Sequence, residues 1–117
     1  DGNGVDSVNK NVIKDRQLLS EEGLVVVVAT INLKDKEIQS GPDLLSRGFV
    51  YMRESGELLD QGRKLVFKTI RRTMDTQNAD EKSIKKAIVN ELSNFLFEKT
   101  ERRPLILPML IMNDNNK

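Results

Sequence analysis

The chain has 117 residues, enough for one domain whose folding buries about two thirds of the surface the extended chain exposes. It contains no Cys and no His, which excludes disulfides, thiol nucleophiles, zinc sites of the usual kinds and His acid–base catalysis within it. With 19 basic against 18 acidic side chains, no overall field favours a nucleic acid or a membrane surface.

The charge is not evenly spread. Residues 1–56 carry 7 basic and 9 acidic groups, whereas residues 57–103 carry 11 and 8. Every apolar run is shorter than ten residues, well under the roughly 20 that cross a bilayer. No signal-peptide pattern is read, and a start at Asp1 rather than Met suggests a processed product or an excised fragment.

In chain order, residues 1–20 read as a linker segment, opening with the Gly-, Asn- and Asp-rich stretch Asp1–Asn11. Residues 21–113 read as an α+β domain and residues 114–117 as a disordered tail. The clearest strand is Leu24–Ile31 (LVVVVATI), six of whose eight residues are β-branched. It lacks apolar/polar alternation, as expected of a strand covered on both faces. Asn32–Glu37 reads as a charged turn, and Ser40-Gly41-Pro42-Asp43 as a second turn. A second strand is predicted over Arg47–Arg53, with Phe49, Tyr51 and Arg53 on one side.

Two helices follow. The first is predicted from Ser55 to about Thr76, with Leu59, Gly62, Val66 and Ile70 on one face, Gly62 permitting close approach to a sheet. The second is predicted to start at Asn78, with Glu81 completing a capping box, and to run to about Glu101. Ile84, Ala87, Ile88, Leu92, Phe95 and Leu96 form its apolar band. Leu105–Met112 reads as a third strand, and Pro108 within it requires an edge or a bulge.

The order β-β-α-α-β predicts a two-layer α+β sandwich, a three-stranded sheet with two helices on one face. The third strand would run parallel to the first and the second antiparallel to it. The other face of that sheet has no cover from these elements, yet the first strand is apolar on both sides. An outside partner or the N-terminal segment is expected there. The interface candidates are Val25, Val26, Val27, Val28, Phe49, Tyr51, Leu107 and Met109.

The charged clusters allow two readings each. Lys64, Lys68, Arg71 and Arg72 line one flank of the first helix, and Lys82, Lys85 and Lys86 sit in the opening turns of the second. Each group is either a phosphate-binding surface or the solvated face of an amphipathic helix. Cations near a helix start oppose the dipole, which a bound anion would explain. Arg47 and Arg53 flank the second strand and are either phosphate or carboxylate clamps or ion-pair partners of Asp43 or Glu54. Arg102 and Arg103 either cap the second helix or touch RNA backbone. The candidate RNA contacts are thus Arg47, Arg53, Lys64, Lys68, Arg72, Lys85, Lys86, Arg102 and Arg103. Asp35, Asp43, Asp60 and Asp75 show no metal-ligand spacing, and the sequence lacks GxGxxG, P-loop and complete EF-hand patterns. No catalytic or metal-binding residue is therefore assigned in this chain.

Three stretches resemble the C-terminal domain of bacterial ribonuclease J. They are Asp15–Gly23 (DRQLLSEEG) running into the valine strand, Ser40–Glu54 (SGPDLLSRGFVYMRE) and Leu96–Pro108 (LFEKTERRPLILP). The resemblance covers nearly the whole chain in order. It implies a parent that is a zinc-dependent metallo-β-lactamase/β-CASP nuclease, acting in the cytoplasm on RNA by 5′-to-3′ exonucleolytic and endonucleolytic hydrolysis in RNA decay and rRNA maturation. It places the zinc-binding His and Asp residues in upstream domains, so this fragment carries no cofactor and is catalytically silent alone. It also implies a role in assembling dimers and tetramers, with an identical or paralogous chain as partner. The alternative is a stand-alone RNA-binding module using its basic helix faces, although no GXXG loop of the KH kind occurs. One stretch departs from the pattern. Where family members usually read Gly-Val-Gly-Asp-(Ile/Val)-Gly-Asn, this sequence has Gly4-Val5-Asp6-Ser7-Val8-Asn9-Lys10. That departure suggests a divergent, less active paralogue working in a mixed complex.

Overall fold

A computed structural model describes residues 22–48 and 55–113. The expected linker over 1–20, the tail over 114–117, and Phe49, Tyr51 and Arg53 lie outside the described residues. Five elements follow in the order β1 (Leu24–Asn32), β2 (Glu37–Arg47), α1 (Ser55–Met74), α2 (Glu81–Thr100) and β3 (Leu105–Met112). The sheet order is β2-β1-β3, with β1 antiparallel to β2 and parallel to β3. The result is the predicted α+β architecture, with the most apolar strand at its centre.

Extended backbone sends successive side chains of β1 to opposite faces. Val25, Val27, Ala29 and Ile31 are fully buried, whereas Leu24, Val26, Val28 and Thr30 are half-buried. The first set meets Leu58, Val66, Ile70 and Met74 of α1, Ile84, Ile88, Leu92 and Leu96 of α2, and Ile106 and Leu110 of β3 in a single core. Three- and four-residue spacing along each helix creates the matching apolar stripe. Gly62 does bring α1 close to its neighbours. A Cβ there would lie 3.1 Å from Leu44 Cδ2 and 3.3 Å from Leu92 Cδ1, so even Ala would require both leucine side chains to give by a few tenths of an ångström.

Thr69 and Thr73 are buried without loss. The Thr69 hydroxyl lies 2.9 Å from the Leu65 carbonyl and 3.1 Å from Glu91 Oε1, and that of Thr73 donates to the Thr69 carbonyl at 2.7 Å. Glu91 also pairs with Arg72, so one carboxylate on α2 ties two residues of α1.

The second strand starts upstream of its predicted place, and of the predicted span Arg47–Arg53 only Arg47 and Gly48 lie among the described residues. The strand spans Glu37–Arg47, and Ser40-Gly41-Pro42-Asp43, read as a turn, lies within it. Between the pairs Val28–Asp43 and Thr30–Ser40, two residues of β2 oppose Ala29 alone, and a further extra residue falls between Ser40 and Ile38. These bulges absorb the turn-forming residues. Because β2 is an edge strand, the missing N–H of Pro42 breaks no ladder. Gly41 has φ +84° and the Gly41–Pro42 bond is cis. Pro108 likewise lies on an edge strand, as its chemistry requires. The charged turn falls at Leu33–Lys36, where Asn32 Oδ1 accepts from the Asp35 backbone N–H at 2.9 Å and Asn32 Nδ2 donates to Asp35 Oδ2 at 3.2 Å.

The cap of α2 also differs from the sequence expectation. Asp80, not Asn78, is the N-cap. Its carboxylate accepts from the Ser83 backbone N–H at 2.8 Å, while the Ser83 hydroxyl lies 3.0 Å from the Asp80 backbone N–H. Asn78 instead takes a left-handed conformation in the interhelical turn. The hydrogen bond from the Ser83 backbone holds the Asp80 carboxyl below the usual carboxylate range. A depressed folded-state pKa means the cap's contribution is complete above the unfolded value of about 3.9 and is lost as pH falls through the lower folded value. Asp80→Ala is therefore expected to melt below the parent chain at pH 7, with a gap that narrows as the pH falls below the usual carboxylate range toward pH 2, as read by circular dichroism. A gap unchanged at pH 2 would contradict this. At the other end of α2, Glu101 adopts the left-handed conformation and its N–H donates to the Phe97 carbonyl at 2.7 Å.

Candidate functional site

The sheet face turned away from the helices is built by alternate residues of three strands. Side chains paired across a ladder share a face. Val26 pairs with Leu45 and Leu107, Val28 with Asp43 and Met109, Leu24 with Arg47 and Leu105, and Thr30 with Ser40 and Ile111. Leu45 is 61 % exposed, Leu107 42 %, Met109 56 % and Ile111 55 %. Four large apolar side chains in water beside half-buried Val26 and Val28 form one continuous patch, the kind that marks an interaction surface.

Of the four valines offered as interface candidates, Val26 and Val28 lie on this patch with Leu107 and Met109. Val25 and Val27 face the helices and are fully buried in the core. Leu45 and Ile111 belong to the patch although the sequence reading did not single them out. Leu45 was obscured by turn chemistry three residues upstream. Ile111 is visible in retrospect as the next residue of period two after Leu107 and Met109.

The charges on this face come from β2, where Asp43 and Arg47 flank Leu45 in one row. Neither makes an ion pair with another described residue.

The remaining basic candidates are dispersed. Lys85 pairs with Glu81 at 2.9 Å and Arg72 with Glu91. The anion that the opening turns of α2 invite is supplied by the Asp80 carboxylate itself. Arg103 stacks over Phe97 at 4.4 Å, and its guanidinium donates to Ser93 Oγ at 3.0 Å. Its backbone N–H donates to Glu22 Oε1 at 2.8 Å, so Arg103 serves to close the end of α2. Lys86 and Arg102 are exposed and distant in sequence from the α1 cluster.

On α1, Lys64 shares Asp60 with Arg63, its Nζ 3.6 Å from Oδ2. The hydrogen bond from Arg63 keeps the Asp60 carboxyl below its ordinary range. Beside them, Gly41 and Pro42 of β2 and Arg63, Lys64, Phe67 and Lys68 of α1 surround a pocket of about 380 Å³.

Among the described residues, no group of three or more Asp or Glu side chains is placed to hold a metal. With no His or Cys in the sequence, the donor set here does not fit zinc. No described helix is long and apolar enough to cross a membrane.

What the fold and surface define is a small α+β module that presents an apolar sheet face. The family model for the ribonuclease J C-terminal domain matches residues 11–113, and the chain belongs to that family. It is 46 % identical to Ribonuclease J 1 of Streptococcus pyogenes over 99 % of this chain and 21 % of that protein. It is 40 % identical to Ribonuclease J2 of Bacillus subtilis over 95 % of this chain and 20 % of that protein. Ribonuclease J 2 of Staphylococcus aureus is 37 % identical over 94 % of this chain. The chain spans about a fifth of the length of the curated relatives it matches.

Proposed function

We propose that this chain is the assembly module of a ribonuclease J, and that its open sheet face docks a second ribonuclease J chain of the same or a paralogous sequence. The parent enzyme hydrolyses RNA in the cytoplasm by exonucleolytic and endonucleolytic cleavage with zinc held in its other domains, and this module organises the chains that do so. The observation that carries the reading is the patch formed by Leu45, Leu107, Met109 and Ile111 around Val26 and Val28. Interface centres are depleted in charge and rich in apolar area, and obligate ones resemble a core cut in half.

The charge pattern favours a partner with a like surface. Asp43, Leu45 and Arg47 form a row whose reversal is its own complement. Two such rows brought together by a two-fold axis set Leu45 against Leu45 and each Arg47 against the other chain's Asp43.

Light scattering at about 100 µM chain, in about 50 mM and about 1 M salt, tests the reading. A particle of twice the 13.3 kDa chain mass at both salts is expected, because apolar burial is not screened. A 13.3 kDa particle at both salts would overturn it.

A further inference from the structure

The pocket between α1 and the bulge of β2 lies on the helix side of the sheet edge, and the assembly reading leaves it unused. Its floor is apolar, made by the exposed Phe67 ring and Pro42. Its wall on α1 is cationic, made by Arg63, Lys64 and Lys68. Arg71, one turn beyond Phe67, sits 5.8 Å from the ring centroid. Four cations thus surround one aromatic ring, and the carboxylate paired with any of them is that of Asp60, shared by Arg63 and Lys64. Lys68 and Arg71 make no ion pair among the described residues.

The cause is helical geometry. Arg63, Phe67 and Arg71 repeat every four residues and so share one row, while Lys64 and Lys68 form the adjacent row. Phe67 stands in the row between Arg63 and Arg71 and is 38 % exposed. The β2 bulge completes the pocket by bringing Gly41 and Pro42 to the same place.

We infer that this pocket binds one nucleotide of single-stranded RNA, the base lying on Phe67 and Pro42 and the flanking phosphates meeting Arg63, Lys64 and Lys68. A base needs a flat apolar floor, which stacking on an aromatic ring supplies without regard to sequence. The phosphates need cations at the rim. Lys64 and Lys68 are four residues apart, about 6 Å along the helix axis, close to the step between successive phosphates of an extended strand. A volume of about 380 Å³ suits one nucleotide rather than a folded element. An acidic protein segment would use the same cations but gains nothing from the aromatic floor. The site lies away from the apolar sheet face, so RNA contact and chain assembly do not compete.

Fluorescence anisotropy of a labelled ten-nucleotide single-stranded RNA, titrated with the 117-residue chain, tests the inference. At about 50 mM salt binding is expected below about 1 mM, weakening with a log–log salt slope of about −1.4 for the two flanking phosphates at about −0.7 each. Lys64→Glu with Lys68→Glu should weaken binding at least tenfold and bring the slope above about −1. Phe67→Ala should weaken it about fivefold or more with the slope unchanged, because stacking is not screened. Lys85→Glu with Lys86→Glu on α2 should change affinity by less than about twofold, and oligoglutamate of equal charge should compete at least tenfold less well than unlabelled RNA. Circular dichroism melting confirms folding of each variant, and all the altered side chains are exposed or half-buried. Three results would overturn the inference: no binding below about 1 mM, equal losses from the α1 and α2 charge reversals, or an unaffected Phe67→Ala variant. Equal competition by oligoglutamate would also overturn it, and would reassign the pocket to an acidic protein segment.

Discussion

Leu107→Glu combined with Met109→Glu is expected to leave the chain folded and strictly monomeric. Both side chains project from β3 into the centre of the open face, beside Val26 and Val28, and both are largely exposed within a single chain. Placing two carboxylates there should cost the isolated fold little. In an assembled pair, each would be stripped of water against apolar side chains, with no cation on β1 or β3 of that face to meet it. Desolvating an unpaired carboxylate costs at least several kcal/mol, so dissociation should strengthen by more than about a thousandfold. Light scattering at about 100 µM should then read 13.3 kDa, where the parent chain reads twice that. The same double charge introduced on the outer helix face, as Lys85→Glu with Lys86→Glu, should leave the pair intact. If the β3 variant still pairs, the docking surface is not the open sheet face.

Gly41→Ala is expected to destabilise the fold by about 3 kcal/mol, and to lower the melting midpoint by roughly 10–20 °C. Two causes act together. The backbone at Gly41 has φ +84°, where a side chain is disfavoured. In addition, an added Cβ would stand 2.7 Å from the Val28 carbonyl oxygen and 3.3 Å from the Ala29 Cα. Both neighbours belong to the backbone of the central strand, so relief requires moving β1 or opening its pairing with β2. Gly56→Ala is the matching control. That residue lies in the first turn of α1 with nothing within 4 Å of the added Cβ. It should gain up to about 1 kcal/mol, from helix propensity and a less flexible unfolded chain. Thermal melts of the two variants should therefore shift in opposite directions. A Gly41→Ala midpoint within a few degrees of the parent would show that β2 yields at the bulge.

Why β2 escaped the sequence reading follows from where it sits. It is an edge strand, and among its described side chains only Pro42 is buried. No apolar period marks it, and Ser-Gly-Pro-Asp carries the same local chemistry in a bulge as in a turn. β1 could be read because it is central and apolar on both faces, and β3 because its edge position still leaves it a core side. The cap of α2 shows a similar ambiguity. Asn78 and Asp80 are both good N-caps, and each has a plausible partner three residues on. Only the backbone entering the helix decides that Asp80 closes the box with Ser83.

The candidate surfaces divide along the same line. That the sheet would have an uncovered apolar face was legible from the unbroken run Leu24–Val28 and from the number of helices available to cover it. Which valines occupy that face depends on strand phase, and a shift of one residue exchanges Val25 and Val27 for Val26 and Val28. Likewise the cations of α1 were legible as a helical row, but their pocket was not, since its other wall comes from the β2 bulge.

The sequence by itself determined the element order, the α+β class, the apolar character of β1, the lack of His or Cys chemistry, and membership of the ribonuclease J C-terminal family. Those properties are carried by local pattern and residue type, which the chain shows without folding. The tertiary structure alone decided the place of β2, the sheet order with β1 at its centre, the membership of the open face, and the meeting of Phe67 with Pro42. Those properties join residues far apart in the chain, and only packing of the whole domain selects among the pairings that local preference allows.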